Sequence, residues 1–232
     1  KIFPSYPDRN DVDLHAILHP AKEVGGDLYD FYMDDNHLYF LIGDVSGKGV
    51  PASLFMAITR SLFRTLSQHV LSPAKIVTEM NNSISDNNES NMFVTLIVGI
   101  LDLETGILKL CNAGHNPPIL IYPDGQVSYL EFKTQIFVGV VEDFKYSDEE
   151  VVLEKESKLF LYTDGVTEAE NINKELYGEE KLLEMLSDNA SSDVRTTVNV
   201  VVDSITSHVK EAEASDDLTI LLIQYEPGTA NS

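Results

Sequence analysis

Four aspartates lie at the ends of predicted strands, each beside a glycine or a second acid. Asp27 and Asp44 each follow a glycine, Asp164 precedes a glycine, and Asp216 precedes another aspartate. Carboxylates that converge repel one another, so such a cluster is stable only when cations neutralise it or some of its members bind protons. We therefore expect these side chains to form a cation site where the strand ends meet.

The sequence points to hard, oxygen-preferring cations rather than to zinc. It holds one cysteine, Cys111, and no cluster of cysteines and histidines with the spacing of a zinc site. Mg²⁺ and Mn²⁺ prefer oxygen ligands and need few of them from the protein. Two such ions, about 3.5 to 4 Å apart and bridged by one aspartate, would activate a water and clamp a phosphoryl group. The chemistry indicated is hydrolysis of a phosphate ester, with two Mn²⁺ or Mg²⁺ ions as cofactors.

Asp44 lies in a stretch that combines a strand, a glycine-rich turn and a helix. An apolar run from Leu38 to Ile42 leads to Asp44, the glycines that follow allow a sharp turn, and Pro51 suits the first turn of a helix. Taken alone, this stretch is equally compatible with an ordinary strand-to-helix turn. A second predicted strand over 28–32 is joined to it by the turn at 34–36. The resulting hairpin brings Asp27 and Asp44 to the same end, since both lie about equally far from the turn.

The rest of the chain alternates strand and helix patterns without an internal repeat. Strands are predicted at 12–18, 92–101, 107–112, 119–122, 127–130, 151–153, 158–162 and 218–225, and helices at 51–68, 73–86, 179–187 and 194–210. In the first helix we expect one apolar stripe to be buried. It comprises Phe55, Ile58, Leu62 and Leu66, while Arg60 and Arg64 lie elsewhere.

Composition argues against two classes of partner. The 232 residues carry a formal net charge of -22, which repels nucleic acid and anionic membranes. No apolar stretch approaches the roughly 20 residues that cross a bilayer. A content of 43% hydrophobic residues suffices for a sizeable core, and a single cysteine suits the reducing cytoplasm.

The chain begins at Lys1 and enters a proline-containing segment, so we expect a piece of a longer protein. We interpret residues 1–12 as a linker remnant, 13–226 as one domain and 227–232 as a disordered tail. The expected location is the cytoplasm, either as a free protein or as the cytoplasmic part of a membrane-anchored sensor.

Several motifs in a fixed order carry a resemblance to a known family. They are Val24–Phe31 after Pro20-Ala21, Gly43–Gly49, Phe93–Thr95, Asn112–His115, Tyr162–Ala169 and Asp216–Thr219. From about Asp13 to Tyr225 the chain thereby resembles the SpoIIE/RsbU branch of the bacterial PP2C-type (PPM) serine/threonine phosphatases. Each motif is weak alone, whereas the ordered set is specific. The resemblance implies an α+β fold, a four-layer α-β-β-α sandwich with two mostly antiparallel sheets.

The resemblance also implies roles for the acids. Asp44 would bridge both metals, the backbone carbonyl of Val45 would complete one of them, and Asp164 and Asp216 would bind the other. Asp27 would act through metal-bound water. Asp217 could exchange roles with Asp216, because sequence alone does not separate adjacent acids.

Two features depart from the eukaryotic-type members of the family. Ser46 stands where those members have a histidine proposed as the acid for the leaving group, and their phosphate-binding arginine has no clear counterpart. Lys48 is a candidate phosphate contact, with a solvated turn lysine as the alternative. His115 is a candidate acid or substrate contact, with fixing of the loop at 114–118 as the alternative.

The function implied is a metal-dependent phosphoserine/phosphothreonine protein phosphatase, the output domain of a bacterial partner-switching pathway. Its expected partners are a phosphorylated anti-sigma-factor antagonist of the STAS type, an upstream sensor or regulatory domain, and a second copy in a homodimer. Two alternatives stay open: a catalytically silent binding module, and a metallohydrolase of a small phosphate ester.

Overall fold

The computed structural model describes residues 4–86, 88 and 91–227, whose strands form two five-stranded sheets. From edge to edge, sheet A consists of β1 (Val12–His19), β10 (Leu218–Tyr225), β9 (Lys158–Tyr162), β6 (Ile119–Ile121) and β7 (Val127–Tyr129). Sheet B consists of β2 (Leu28–Asp34), β3 (His37–Val45), β4 (Val94–Asp102), β5 (Ile107–Ala113) and β8 (Glu149–Val152). Neighbouring strands in both sheets are antiparallel.

Four helices cover the outer faces of the two sheets. They are α1 (Val50–Leu66), α2 (Pro73–Ser85), α3 (Glu179–Asp188) and α4 (Val194–Val209). Apolar residues of α1 and α2 share one core with sheet B, and those of α3 and α4 share another with sheet A. A third core lies between the sheets. Three cores separate four layers, which confirms the predicted α-β-β-α sandwich.

The central strands show why the layers form. In β3, Phe40 and Ile42 belong to the core between the sheets, whereas Tyr39 and Leu41 belong to the core under α1 and α2. Successive side chains of a strand point to opposite faces, so a continuous apolar run is buried on both sides. This burial holds the last residues of β3 rigidly against both layers.

The predicted strands and helices are all present, with ends that differ by a few residues. β4 begins at Val94 rather than at residue 92, and β8 runs from Glu149 to Val152 rather than over 151–153. These ends depend on which residues find a partner in the neighbouring strand, and pairing is not encoded in the local pattern.

The predicted buried face of α1 is correct in part, because Ile58 is exposed. The buried residues of the helix are Ala52, Thr59 and Phe63, while Ile58 is 55% exposed. The helix is turned because its basic side chains bind a buried acid of β2: Arg60 Nε lies 3.0 Å and Arg64 Nε 2.7 Å from Asp30 Oδ2. The remaining predicted stripe residues, Phe55, Leu62 and Leu66, are partly buried at the edge of the core.

Outside the outermost strands, the described residues near the N-terminus contact the sandwich through Tyr6. Tyr6, in the segment interpreted as a linker remnant, hydrogen-bonds through its hydroxyl to the backbone of Ala16 and contacts the ring of Phe31. Residues 228–232 of the expected tail lie outside the described residues, and the domain limits stay a prediction. No helix in the described part of the chain is long and apolar enough to span a bilayer.

Candidate active site

The hairpin of β2 and β3 brings Asp27 and Asp44 together at its open end. Leu28 pairs with Gly43, so the residues beside them, Asp27 and Asp44, lie opposite each other. Each carboxyl group influences the pKa of the other. Asp44 also pairs through the backbone with Thr95 of β4. Two of the predicted acids thus form one pair at one end of sheet B.

Asp27 joins this pair to sheet A. It is only 3% exposed, and its Oδ2 accepts hydrogen bonds from Thr163 Oγ1 at 2.7 Å and Thr219 Oγ1 at 2.6 Å. Thr163 follows β9, and Thr219 belongs to β10. These two hydroxyls were not predicted from the sequence. They could have been found from their positions, because Thr163 stands one residue from Asp164 and Thr219 two residues from Asp217.

Asp164 and Asp216 come from adjacent strands of sheet A. Asp164 opens a 3-10 turn shortly after β9, and Asp216 lies just before β10. The strands are antiparallel neighbours, and the Thr163 amide donates to the Thr219 carbonyl at 3.1 Å. Both acids therefore emerge at the same end of the sheet.

The carboxylates form one electrostatic cluster. Burial raises the pKa of Asp44 from 3.8 to about 8, and the negative charges of Asp27, Asp164 and Asp216 add to this shift. Burial likewise raises the pKa of Asp27 to about 7, against the opposing hydrogen bonds from the two threonines. The pKa of Asp164 is raised by burial and by the charge of Asp216. Crowded carboxylates behave in this way when no cation offsets their repulsion.

The adjacent acids Asp216 and Asp217 have different surroundings. The carboxylate of Asp217 is buried and accepts hydrogen bonds from the amides of Ala21 and Gly26, both at 2.8 Å. It therefore holds the loop that precedes β2. The side chain of Asp216 is 40% exposed and lies near Asp164. Of these two acids, only Asp216 has a carboxylate that an ion from solvent can reach.

Glycines allow the loops of the site to approach one another. A Cβ atom on Gly25 would overlap the Asp217 carboxylate at 2.0 Å, and one on Gly165 would overlap the Asp217 carbonyl oxygen at 1.9 Å. A Cβ on Gly26 would lie 3.0 Å from the Val45 carbonyl oxygen and 3.4 Å from Asp44 Oδ1. Glycine at position 26 thus keeps a side chain away from both oxygens.

Lys48 contacts the site at its outer edge. Its ammonium group donates to Asp216 Oδ2 and to the carbonyl of Ser215, both at 2.8 Å. The hydrogen bond to Asp216 raises the pKa of Lys48. The lysine lies in the turn between β3 and α1, so it joins that turn to the loop before β10.

Ser46 makes a backbone contact instead of facing the acids. Its amide donates to the Phe93 carbonyl at 2.8 Å, and its hydroxyl accepts from the Phe93 amide at 2.9 Å. The serine thereby continues the pairing of β3 with the chain before β4.

His115 is buried, and both of its ring nitrogens are engaged. Nε2 lies 3.1 Å from the Tyr162 carbonyl oxygen, and Nδ1 lies 3.0 Å from Thr95 Oγ1. Burial lowers the pKa of His115 to about 4. The ring is therefore neutral at pH 7 and does not lie open to a ligand.

The donor set fits hard divalent cations. Within residues 4–86, 88 and 91–227, no group of three or more His, Cys, Asp or Glu side chains is arranged to enclose one ion. Asp27, Asp164 and Asp216 all add negative charge beside Asp44, and Lys48 forms an ion pair with Asp216. Mg²⁺ and Mn²⁺ keep several waters and require only one or two carboxylates each. Acids from two sheets meet that requirement.

Comparisons with known proteins agree with this architecture. A family profile described as stage II sporulation protein E (SpoIIE) matches residues 34–226. The phosphoserine phosphatase RsbU of Bacillus subtilis is 27% identical, over 94% of this chain and 64% of RsbU. The SiaA-PP2C domain of Pseudomonas aeruginosa has a TM-score of 0.83 at 21% identity, over 92% of this chain and 86% of that domain. The structure of RsbX in complex with magnesium has a TM-score of 0.72 at 18% identity, over 96% and 99% of the two chains.

At these identities the solved structures show the fold, which is that of PP2C-type phosphatase domains. The chain spans about 36% to 64% of the length of the curated relatives that it matches. The family profile covers most of the chain, including Asp44, Asp164 and Asp216. The chain therefore belongs to the SpoIIE family.

Proposed function

We propose that this chain is a metal-dependent phosphoserine/phosphothreonine protein phosphatase. The observation that carries the proposal is the convergence of Asp27, Asp44, Asp164 and Asp216 at one end of the two sheets. Membership of the SpoIIE family and likeness to RsbU, which is named a phosphoserine phosphatase, support it.

We assign two Mn²⁺ or Mg²⁺ ions to the site. Asp44 would be a ligand of both ions, the Val45 carbonyl would complete one, and Asp164 and Asp216 would hold the other. When bound, the ions activate a water and neutralise charge on the phosphoryl group. The magnesium complex of RsbX, which has this fold, supports a hard divalent cation.

The chain's own residues orient these ligands. Asp27 lies opposite Asp44 and is itself held by the two threonine hydroxyls, an arrangement typical of outer partners of metal ligands. Asp217 keeps Asp27 in place by binding the loop before it. Lys48 is the candidate phosphate contact, because its half-exposed ammonium group lies beside Asp216.

We assign the leaving-group proton to neither Ser46 nor His115. The Ser46 hydroxyl accepts from the Phe93 amide, and both ring nitrogens of His115 have buried partners. A general acid must reach the oxygen that it protonates. The buried ring of His115 does not reach substrate, and the Ser46 oxygen is held by the backbone amide of Phe93.

We further propose that the chain is the output domain of a cytoplasmic partner-switching protein. Its substrate would be a phosphorylated STAS-type anti-sigma-factor antagonist, and an upstream sensor domain would regulate it. Likeness to RsbU over nearly all of this chain, but over only 64% of RsbU, supports this place in a longer protein. An exposed apolar stripe of α1, formed by Val50, Leu54 and Ile58, supports the expected homodimer.

The test is a phosphatase assay on p-nitrophenyl phosphate and on a phosphorylated STAS protein, with and without Mn²⁺. Wild type is compared with Asp44→Ala and with the control Asp203→Ala, which removes an exposed acid of α4. We expect metal-dependent turnover of both substrates, a loss of at least about 100-fold in Asp44→Ala, and wild-type rates in the control.

Each other outcome rejects part of the proposal. Absence of metal-dependent turnover on both substrates would reject the enzyme and favour a silent binding module. Turnover of the small ester alone would reject the protein substrate and favour a small-ester hydrolase.

A further inference from the structure

We propose that His115 is a positioning residue that fixes the sheet A and sheet B halves of the metal site relative to each other. The proposal rests on the phosphatase function proposed above. This role differs from the three considered from the sequence, which were an acid, a substrate contact and a residue that fixes the loop at 114–118.

The ring of His115 bridges the two sheets. Its Nδ1 is 3.0 Å from the hydroxyl of Thr95 in β4 of sheet B, and its Nε2 is 3.1 Å from the carbonyl of Tyr162 in β9 of sheet A. A carbonyl oxygen only accepts, so Nε2 carries the proton. In the neutral ring Nδ1 then accepts from the Thr95 hydroxyl. The hydrogen bonds therefore require one tautomer.

Both partners of the ring adjoin proposed metal ligands. Thr95 is the strand partner of Asp44, and its hydroxyl lies 3.4 Å from the Asp44 carbonyl oxygen. Tyr162 stands two residues before Asp164, and the residue between them, Thr163, donates to Asp27. A shift of one sheet against the other would thus separate Asp44 from Asp164 and would also break a hydrogen bond of His115.

The surrounding loop holds the ring in position. The His115 amide donates to Asn112 Oδ1 at 2.8 Å, and Asn112 Nδ2 donates to the His115 carbonyl at 3.0 Å. Gly114 has a φ of +77°, and a Cβ there would overlap the ring of Phe137 at 1.9 Å. The histidine is 4% exposed. Hydrogen bonds and packing of the loop thus keep the ring in one position between the two sheets, and burial shields it from substrate.

The test compares two substitutions of His115 with a matched control. His115→Leu removes both ring hydrogen bonds at similar volume, whereas His115→Gln retains a donor and an acceptor. The control is Asn81→Leu, because Asn81 is also buried and also joins two segments, donating to the Val141 carbonyl and accepting from the Gly139 amide, both at 2.9 Å. Mn²⁺ affinity is measured by titration calorimetry, stability by urea unfolding, and the tautomer by ¹⁵N NMR of the ring.

We expect a ring protonated on Nε2 in wild type and a 10- to 100-fold loss of Mn²⁺ affinity in His115→Leu, the usual range for outer partners of metal ligands. His115→Gln should recover part of this loss, and Asn81→Leu should bind Mn²⁺ as wild type does even when it is equally destabilised. If His115→Leu does not fold, Thr95→Val, which removes only the hydroxyl, should weaken Mn²⁺ binding in the same direction.

Three results would overturn the proposal. They are wild-type Mn²⁺ affinity in His115→Leu, a loss of Mn²⁺ affinity in Asn81→Leu equal to that in His115→Leu, and a wild-type ring protonated on Nδ1. If wild type binds Mn²⁺ and hydrolyses phosphoserine while His115→Leu does the same, only the role of His115 fails. If wild type binds no Mn²⁺, the proposed function fails and the role of His115 fails with it.

Discussion

The carboxyl groups of Asp27 and Asp44 lie opposite each other at the open end of the β2–β3 hairpin, where the charge of Asp27 helps to raise the pKa of Asp44. This arrangement requires a proton or a cation, because two buried carboxylates repel each other when both are ionised. The protonation state of this pair therefore affects both the stability of the fold and the binding of metal.

The first prediction concerns the pH dependence of stability without metal. Since the folded-state pKa values of Asp27 and Asp44 are raised to about 7 and about 8, the folded protein retains protons that the unfolded chain releases near pH 4. The free energy of unfolding should fall as pH rises from about 5 to about 9, by at most about 1.4 kcal/mol per pH unit for each proton that the folded protein retains. Urea unfolding of metal-free protein at several pH values measures this slope.

Two comparisons isolate the contribution of the pair. Asp44→Asn keeps a hydrogen-bond donor but does not titrate, so its slope should be shallower than that of wild type. Saturating Mn²⁺ should stabilise wild type most at high pH. Identical slopes in wild type and Asp44→Asn would contradict the assignment.

The second prediction concerns the hydroxyl of Thr219. Thr219→Val removes one of two hydroxyl donors to the buried Asp27 and should destabilise the protein by about 1 to 3 kcal/mol. Thr197→Val is the control, because its hydroxyl donates to the Asp193 carbonyl, which already accepts from the Thr197 amide. Chemical unfolding should show a clearly smaller loss of stability in Thr197→Val. An equal loss in both variants would mean that the hydrogen bond to Asp27 stabilises the fold no more than the control bond does.

The third prediction concerns the hydrogen atom of Gly26. A methyl group 3.0 Å from the Val45 carbonyl and 3.4 Å from Asp44 Oδ1 covers two proposed ligand atoms, so Gly26→Ala should weaken Mn²⁺ binding about tenfold or more. Gly125→Ala lies in the turn between β6 and β7, where φ is +89°. It should cost about 1 to 2 kcal/mol of stability without changing Mn²⁺ affinity. Calorimetric titration measures the Mn²⁺ affinity of both variants. Unchanged Mn²⁺ affinity in Gly26→Ala would contradict the assignment of Val45 and Asp44 as ligands.

The fourth prediction concerns the ion pair of Lys48 with Asp216. The pair is half exposed, so its free energy is about 0.2 to 1 kcal/mol. Lys48→Met removes a positive charge beside a proposed ligand and should tighten Mn²⁺ binding up to about fivefold, while the KM for phosphoserine substrate rises if the ammonium group contacts phosphate. Lys181→Met, on α3, is the control and should alter neither quantity. Weaker Mn²⁺ binding in Lys48→Met would show that the lysine organises the site instead of competing with the ion.

The fold was largely predictable because its signals are local. Apolar runs such as 38–42 and 158–162, separated by glycine turns, specify strands buried on both faces, and the turn at 34–36 specifies which two form the hairpin. The exposure of Ile58 was not predictable from the apolar stripe of α1. It depends on Asp30 of β2, a distant residue whose burial requires the two arginines of the helix.

From the sequence alone it was possible to predict which acids form the candidate site. Asp27, Asp44, Asp164 and Asp216 could be recognised because each stands at a strand end beside a glycine or a second acid, and because their motifs occur in a fixed order.

Only the tertiary structure separated Asp216 from Asp217 and assigned buried partners to Ser46 and His115. The partners that decide these roles are backbone amides, carbonyls and hydroxyls that every sequence carries in abundance. Asp217 binds the amides of Ala21 and Gly26, more than 190 positions away in the chain. Such contacts exist only once the two sheets have packed together, so no local pattern encodes them.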